Sequence, residues 1–312
     1  MAVERKPLSS YLAPRYWPTW VGLGLLRCVC WLPHRTRLAI GRFIGRVAMS
    51  AAGSRRGIVR RNLELCFPDR DDDELNALAK RHFEALGMSL IEMGMGRWAS
   101  DAEARRLTSI VGSEHIEAAQ RTGRGVILLS AHFTTLEFSG RIFGATGFDF
   151  HGVYRRNRDD FITELLLNTR ERSAVSMIEK RDIKRMVRLL RKGEAVWYAP
   201  DQSFKRKGAI VEPFFGVPAM QNTATSTLAR LGDAVVVTFF PLRRDDGHYE
   251  IHFGPMFENF PSGDASADIR QYMQALETHI ELCPEQYYWI HRRFKDLPED
   301  YADVYADLAD SK

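Results

Sequence analysis

A histidine and a carboxylate five positions apart, His132 and Glu137, close the segment Gly125-Val126-Ile127-Leu128-Leu129-Ser130-Ala131-His132-Phe133-Thr134-Thr135-Leu136-Glu137. The apolar run at 125–130 has the length and composition of a buried strand, so the pair falls at a strand end, where α/β proteins place their ligands. A neutral imidazole oriented by a carboxylate can take a proton from a hydroxyl. The chemistry this permits is attack by an alcohol on an acyl carbon. A transferase and a hydrolase both fit.

The two groups cannot lie in one regular helix and still meet, because five residues turn a helix through about 500° and leave them roughly 140° apart. They can meet if His132 precedes the helix. Thr134-Thr135-Leu136-Glu137 has the S/T-x-x-E form of a capping box, which predicts a helix starting at Thr134. His132 then sits in the strand-to-helix turn, beside free backbone amides that favour negative charge. The same spacing also allows a plainer arrangement, with Glu137 only capping the helix and His132 satisfying a buried backbone group. Two features favour chemistry. Residues 155–192 hold twelve Lys or Arg against six Asp or Glu, and Asp201 follows a second strand-like run. A charged face around the pair suits an anionic substrate. No G-x-S-x-G elbow, P-loop, G-x-G-x-x-G or H-E-x-x-H motif occurs. Without an evident serine or cysteine nucleophile, direct transfer to a bound alcohol is expected rather than a covalent acyl-enzyme.

These residues need a scaffold. With 312 residues and 45% hydrophobic content the chain can bury a large core, and the lack of a long linker favours one main domain. Strand patterns at 125–130, 150–154, 195–199, 234–240 and 249–253 alternate with helical patterns at 75–95, from 134, from 159, at 183–190, 222–230 and 267–282. The alternation predicts an α/β fold, with a mostly parallel central sheet flanked by helices. The stretch 200–218 reads as a long loop of functional type.

Charge is unevenly spread around a formal net of +4: residues 5–61 hold twelve Lys or Arg and no Asp or Glu. Such a block meets something negative. Tyr11, Tyr16, Trp17, Trp20 and Trp31 and the apolar run 21–26 are interleaved with it, which suits a membrane interface better than nucleic acid. Residues 17–32 are fewer than the ~20 that cross a bilayer comfortably, and Arg27 lies inside them. A tilted anchor and an interfacial helix are both open. Ile40, Phe43, Ile44, Val47 and Ala48 follow helical spacing opposite Arg42 and Arg46, an amphipathic helix with a basic face; a core helix with solvated arginines is the alternative. The expected division is a basic, aromatic membrane segment at 1–60, a catalytic domain at 61–300 and a tail at 301–312. Cys28, Cys30, Cys66 and Cys283 form no CxxC pair, as expected of a reduced, cytoplasm-facing protein.

Five motifs stand in order: A-H-F-T-T-L-E at 131–137, Y-R-R-N at 154–157, T-R-E-R at 169–172, G-E-A-V-W-Y-A-P-D-Q at 193–202 and P-E-Q-Y-Y-W-I-H-R-R-F-K at 284–295. Through them, over residues 15–297, the chain resembles the late acyltransferases of lipid A biosynthesis, the lauroyl acyltransferase (HtrB) family of the H-x4-D/E lysophospholipid acyltransferase superfamily. The resemblance implies a glycerolipid acyltransferase-like fold with an N-terminal membrane-associated helical segment. It also implies an inner-membrane enzyme of lipopolysaccharide biosynthesis with its catalytic domain on the cytoplasmic side. The reaction implied moves an acyl chain, lauroyl by family default, from acyl carrier protein to the hydroxyl of a 3-hydroxyacyl chain on a Kdo-bearing lipid A precursor. By the H-x4-D/E motif His132 is the general base and Glu137 its orienting partner. Arg172, matching the second arginine of the family's T-R-x-R element, would stabilise oxyanion charge or fix a phosphate. Arg155 and Asp201 match other motifs as substrate-binding residues, with structural ion pairs as the alternative. Arg292 and Arg293 would hold phosphates or the carrier protein, or cover the sheet edge.

The expected partners are therefore acyl carrier protein, an anionic glycolipid acceptor and the inner membrane, with no nucleic acid. Thioester chemistry calls for no metal or other cofactor, and none is signalled. Gln202-Ser203-Phe204-Lys205-Arg206-Lys207-Gly208 is more basic than the family's usual loop, which bears on the acceptor's head group. The E-G-T-R motif of glycerolipid acyltransferases is missing, which weighs against lysophosphatidate as acceptor. Two alternatives are an acyltransferase for another glycolipid, such as a phosphatidylinositol mannoside, and a non-catalytic membrane-surface binding protein. The latter has no need of a His132/Glu137 pair.

Overall fold

The computed structural model describes residues 5–205 and 208–308. The chain runs through α1 (Trp17–Val29), α2 (His34–Ala51), α3 (Gly53–Cys66), α4 (Asp72–Trp98), α5 (Asp101–Arg106), β1 (Thr108–Val111), α6 (Ser113–Arg121), β2 (Gly125–Leu129), α7 (Leu136–Ala145), β3 (His151–Tyr154), α8 (Asp160–Arg170), β4 (Ser176–Glu179), α9 (Ile183–Leu190), β5 (Ala195–Tyr198), β6 (Ala209–Phe214), β7 (Val217–Asn222), α10 (Ala224–Gly232), β8 (Ala234–Arg243), β9 (Tyr249–Phe253) and α11 (Ala265–Leu282).

Seven strands form one sheet in the order β1-β9-β8-β2-β5-β3-β4, and every neighbouring pair is parallel except β8 with β9. This is the mostly parallel, helix-flanked sheet that the alternating pattern predicts. β2 is buried at every position, as a central parallel strand covered on both faces must be. Its side chains alternate between two cores. Ile127 and Leu129 pack in the layer of Leu63, Leu190 and Leu276, while Val126 and Leu128 face Ile116, Phe138 and Phe143.

Three local features differ from the sequence expectations. The stretch 200–218 is not a bare loop: β6 and β7 pair antiparallel across the turn Phe215-Gly216, whose φ values of 49° and 75° match a two-residue hairpin turn. β1 and β4, four residues each, carry too little pattern to be seen beforehand. The helix after His132 starts at Leu136, capped by Thr135 without a side-chain bond, so the Thr134/Glu137 capping box does not form.

The basic N-terminal helices pack onto α4. α2 crosses it backbone to backbone: a Cβ on Gly45 would lie 2.0 Å from the Phe83 carbonyl oxygen, and one on Gly87 2.1 Å from that of Gly41. Because glycines make this contact, Phe43 and Val47 of α2 face outward. α1 has no buried residue; Leu26 and, just beyond its end, Cys30 approach Gly94 of α4, and Trp17, Val21 and Leu25, spaced by four, form an exposed apolar stripe. Among the described residues no helix is long and apolar enough to cross a membrane.

Candidate active site

Adjacent parallel strands build the site. The pairing of β2 with β5 runs one step past the strand ends, where the Ser130 amide donates to the Tyr198 carbonyl at 2.8 Å. The two chains then diverge with His132 facing Asp201. The Asp201 carboxylate accepts from the His132 backbone N–H at 3.0 Å and lies 2.6 Å from Nδ1. This doubly anchored carboxylate, 1% exposed, places the ring proton on Nδ1 and leaves Nε2 without a hydrogen bond among the described residues. A third segment holds the turn from the other side. The Tyr288 amide donates to the His132 carbonyl at 3.0 Å, and the Thr134 amide donates to the Gln286 carbonyl at 2.8 Å. Gln286 is itself fixed, accepting from the Arg243 amide and donating to the Arg243 carbonyl, both at 2.8 Å.

The buried network continues outward. Arg243 pairs with the fully buried Glu92 of α4, which also accepts from the Tyr249 hydroxyl at 2.8 Å. A long helix, two strands and the Gln286 segment are thereby locked to one another behind His132.

His132 lines a cavity of about 460 Å³, within the usual range of small-molecule sites of roughly 300–1,000 Å³. Its wall mixes the apolar Met93, Phe150, Trp197 and Phe239 with the charged Glu137 and Arg170. Burial opposes the charged imidazole, but Asp201 more than offsets this, helped by Glu137 and opposed by Arg170, and raises the His132 pKa above its ordinary value. Burial likewise opposes ionisation of Asp201, yet the imidazole and its hydrogen bonds hold that carboxyl below the usual range.

The structure reassigns several residues. Glu137 is not the hydrogen-bond partner of His132: it accepts from Arg170 Nε at 3.0 Å and pairs with Nη2. The cause is the later start of α7, which turns Glu137 toward α8. Asp201, expected only as a substrate contact or an ion pair, takes the orienting place. Arg172 lies exposed and off the cavity; Arg170 lines the cavity in its place, since two residues at a helix end rotate a side chain by about 200°. Arg155 is exposed on the cavity wall. Arg292 lies elsewhere, its guanidinium 5.6 Å from the Tyr305 ring centre. Arg293 is buried, donating to the Met220 carbonyl at 3.2 Å and to Gln221 Oε1 at 2.6 Å, so it is committed to the interior. Of the basic loop at 202–208, Arg206 and Lys207 lie outside the described residues. Among those described, no group of three or more His, Cys, Asp or Glu is placed to hold a metal ion.

The chain matches a family model, bacterial lipid A biosynthesis acyltransferase, over residues 5–296. The chain belongs to that family. The acyltransferase is 39% identical over 299 residues to the lipid A biosynthesis lauroyltransferase of Escherichia coli (strain K12), covering 95% of this chain and 97% of that one. It is 36% identical to the palmitoleoyltransferase of the same organism, with the same coverage. A lipid A biosynthesis acyltransferase of Haemophilus influenzae is 34% identical over 93% of this chain and 94% of its own. In this chain the carboxylate bonded to His132 comes from 69 residues further along the sequence.

Proposed function

We propose that this acyltransferase moves a fatty acyl chain, of lauroyl type, from the thioester of acyl carrier protein to the hydroxyl of a 3-hydroxyacyl chain on a Kdo-bearing lipid A precursor. The observation that carries this is an imidazole fixed at Nδ1 by Asp201, with its Nε2 unbonded, on the wall of a largely apolar cavity. Nε2 takes the hydroxyl proton as the alcohol oxygen bonds to the thioester carbonyl carbon. The tetrahedral intermediate collapses with cleavage of the C–S bond, and the same nitrogen returns the proton to the departing thiolate. The products are an ester and a free thiol. Arg170, steadied by Glu137, supplies positive charge on the cavity wall for the transient oxyanion. A group that stabilises developing charge works best when it is already in place, and the Glu137 pairing does that.

The enzyme works at the cytoplasmic face of the inner membrane. Support comes from the exposed stripe Trp17, Val21 and Leu25 and from the acid-free basic block at 5–61, which together suit an interfacial helix on an anionic surface. The acidic carrier protein docks on exposed basic surface, so activity falls as salt rises.

Detergent-solubilised wild-type and His132→Ala protein, given acyl carrier proteins of several chain lengths and Kdo2-lipid IVA, are compared by mass spectrometry. A gain of one acyl group in the wild type alone is expected, with the preferred donor giving the chain length. Folded wild type that transfers nothing to this acceptor but acylates a phosphatidylinositol mannoside would overturn the acceptor assignment.

A further inference from the structure

A second recess of about 320 Å³ lies outside the acyl cavity, between the first turn of α3 and the segment after Ile290. It is lined by Ser54, Arg55, Ile58, His291, Arg292 and Lys295. Only one of its three cations meets an acid: Lys295 is 3.5 Å from Asp296, which also accepts from Ser203 at 3.4 Å. Arg55 donates to the Ile290 carbonyl at 3.2 Å and Arg292 faces the Tyr305 ring; among the described residues neither has a carboxylate partner. Two arginines lining one concave surface, with no carboxylate partner among the described residues, form a seat for an oxyanion. The wall adds to this. α3 begins with no capping side chain and no acid in its first turn, so its leading amides are open to an anion at Ser54 and Arg55.

His291 ties this recess to the chemistry. Its ring lines the recess and also a narrow crevice walled by His132, Asp201 and Gln202. Nε2 of His291 is buried without a partner among the described residues, and burial, then Lys295, presses its pKa down to about 4. The neutral ring is a partition between the reacting imidazole and the cationic seat.

Resting on the acyl-transfer reading above, we infer that the Arg55–Arg292–Lys295 recess binds a phosphate monoester on the head group of the glycolipid acceptor. A lipid source is favoured over the carrier protein by position: the outward Phe43 and Val47 of α2 precede α3 by less than three helical turns of chain, so the recess follows directly on an apolar surface. That is the level of a lipid head group. A small, concave seat also suits a compact anion better than a protein face. An acceptor phosphate held there, on the far side of His291, fixes how its acyl hydroxyl meets His132.

The test uses full-length protein in detergent, with Kdo2-lipid IVA and the same acceptor after phosphatase treatment. Wild type should prefer the phosphorylated acceptor about 10–100-fold in KM, the value of charge-assisted hydrogen bonds. Arg55→Gln/Arg292→Gln should raise KM for the phosphorylated acceptor toward that of the treated one and lose the preference, while the donor KM holds. Arg55→Lys/Arg292→Lys should restore part of the preference, which separates charge from misfolding. An unaltered preference in the Gln variant, or a rise confined to the donor KM, overturns the inference. Equilibrium binding of both acceptors to His132→Ala protein separates this from the reaction itself. If wild type acylates neither acceptor yet His132→Ala prefers the phosphorylated one, the transfer reading fails and the phosphate seat stands. Equal binding of both with transfer intact removes the seat alone.

Discussion

Which carboxylate governs His132 is decided by two substitutions. The imidazole must be neutral to accept a proton, and Asp201 raises its pKa, so kcat/KM should fall with decreasing pH through a midpoint above about 6.5. Asp201→Asn removes the charge that favours the imidazolium. The midpoint should move down, and kcat should drop by about 10²–10⁴-fold through loss of the tautomer and of charge stabilisation. Glu137→Gln, which acts on the ring only across space, should shift the midpoint less. Full pH–rate profiles of both variants check this, and a larger shift in Glu137→Gln than in Asp201→Asn would refute it. His132 was legible in the sequence because a polar residue three places beyond the apolar run 125–129 falls past a strand end. Asp201 was legible as a site residue but not as its partner, because that contact depends on β5 lying beside β2. The choice of Arg170 over Arg172 turns on helical phase at the last residue of α8, where spacing says least.

Among elements, the buried charge pair behind the site should dominate stability. Glu92→Leu leaves Arg243 buried without its counter-charge, at a cost of about 3–5 kcal/mol, and loosens the strand that fixes Gln286. Denaturant unfolding reads the loss as a lower midpoint; an unchanged midpoint would mean that the guanidinium finds another partner. The helices and the central strand were legible, since α4 and α9 space their apolar positions at helical intervals and β2 is a short uninterrupted apolar run. The β6–β7 hairpin was hidden because its tip, Phe215-Gly216, puts a bulky residue where the left-handed turn usually takes Asn or Asp. The role of Gln286 could not be foreseen either. Its side chain substitutes for a strand partner of Arg243, a pairing visible only once the sheet is assembled.

At the scale of the whole molecule, the exposed stripe on α1 should set how tightly the protein holds a bilayer. Trp17→Ser/Leu25→Ser removes two large side chains that are each more than half exposed, so folding should tolerate the change. Binding to anionic vesicles should weaken at least about tenfold, given ~1.5–3 kcal/mol per buried large apolar side chain. Flotation assays measure this, and unaltered binding would move the contact to another surface. The glycine crossing of α2 over α4 also governs any attempt to shorten the protein for solubility. Deleting residues up to 52 would strip away a helix that lies directly on bare backbone at Phe83 and Gly87, and would uncover Ala85 and Met88, which now enclose Leu38. The truncated product would trade an exposed apolar stripe for a raw groove along α4, and a form trimmed in this way should aggregate more readily than the full chain it was meant to improve.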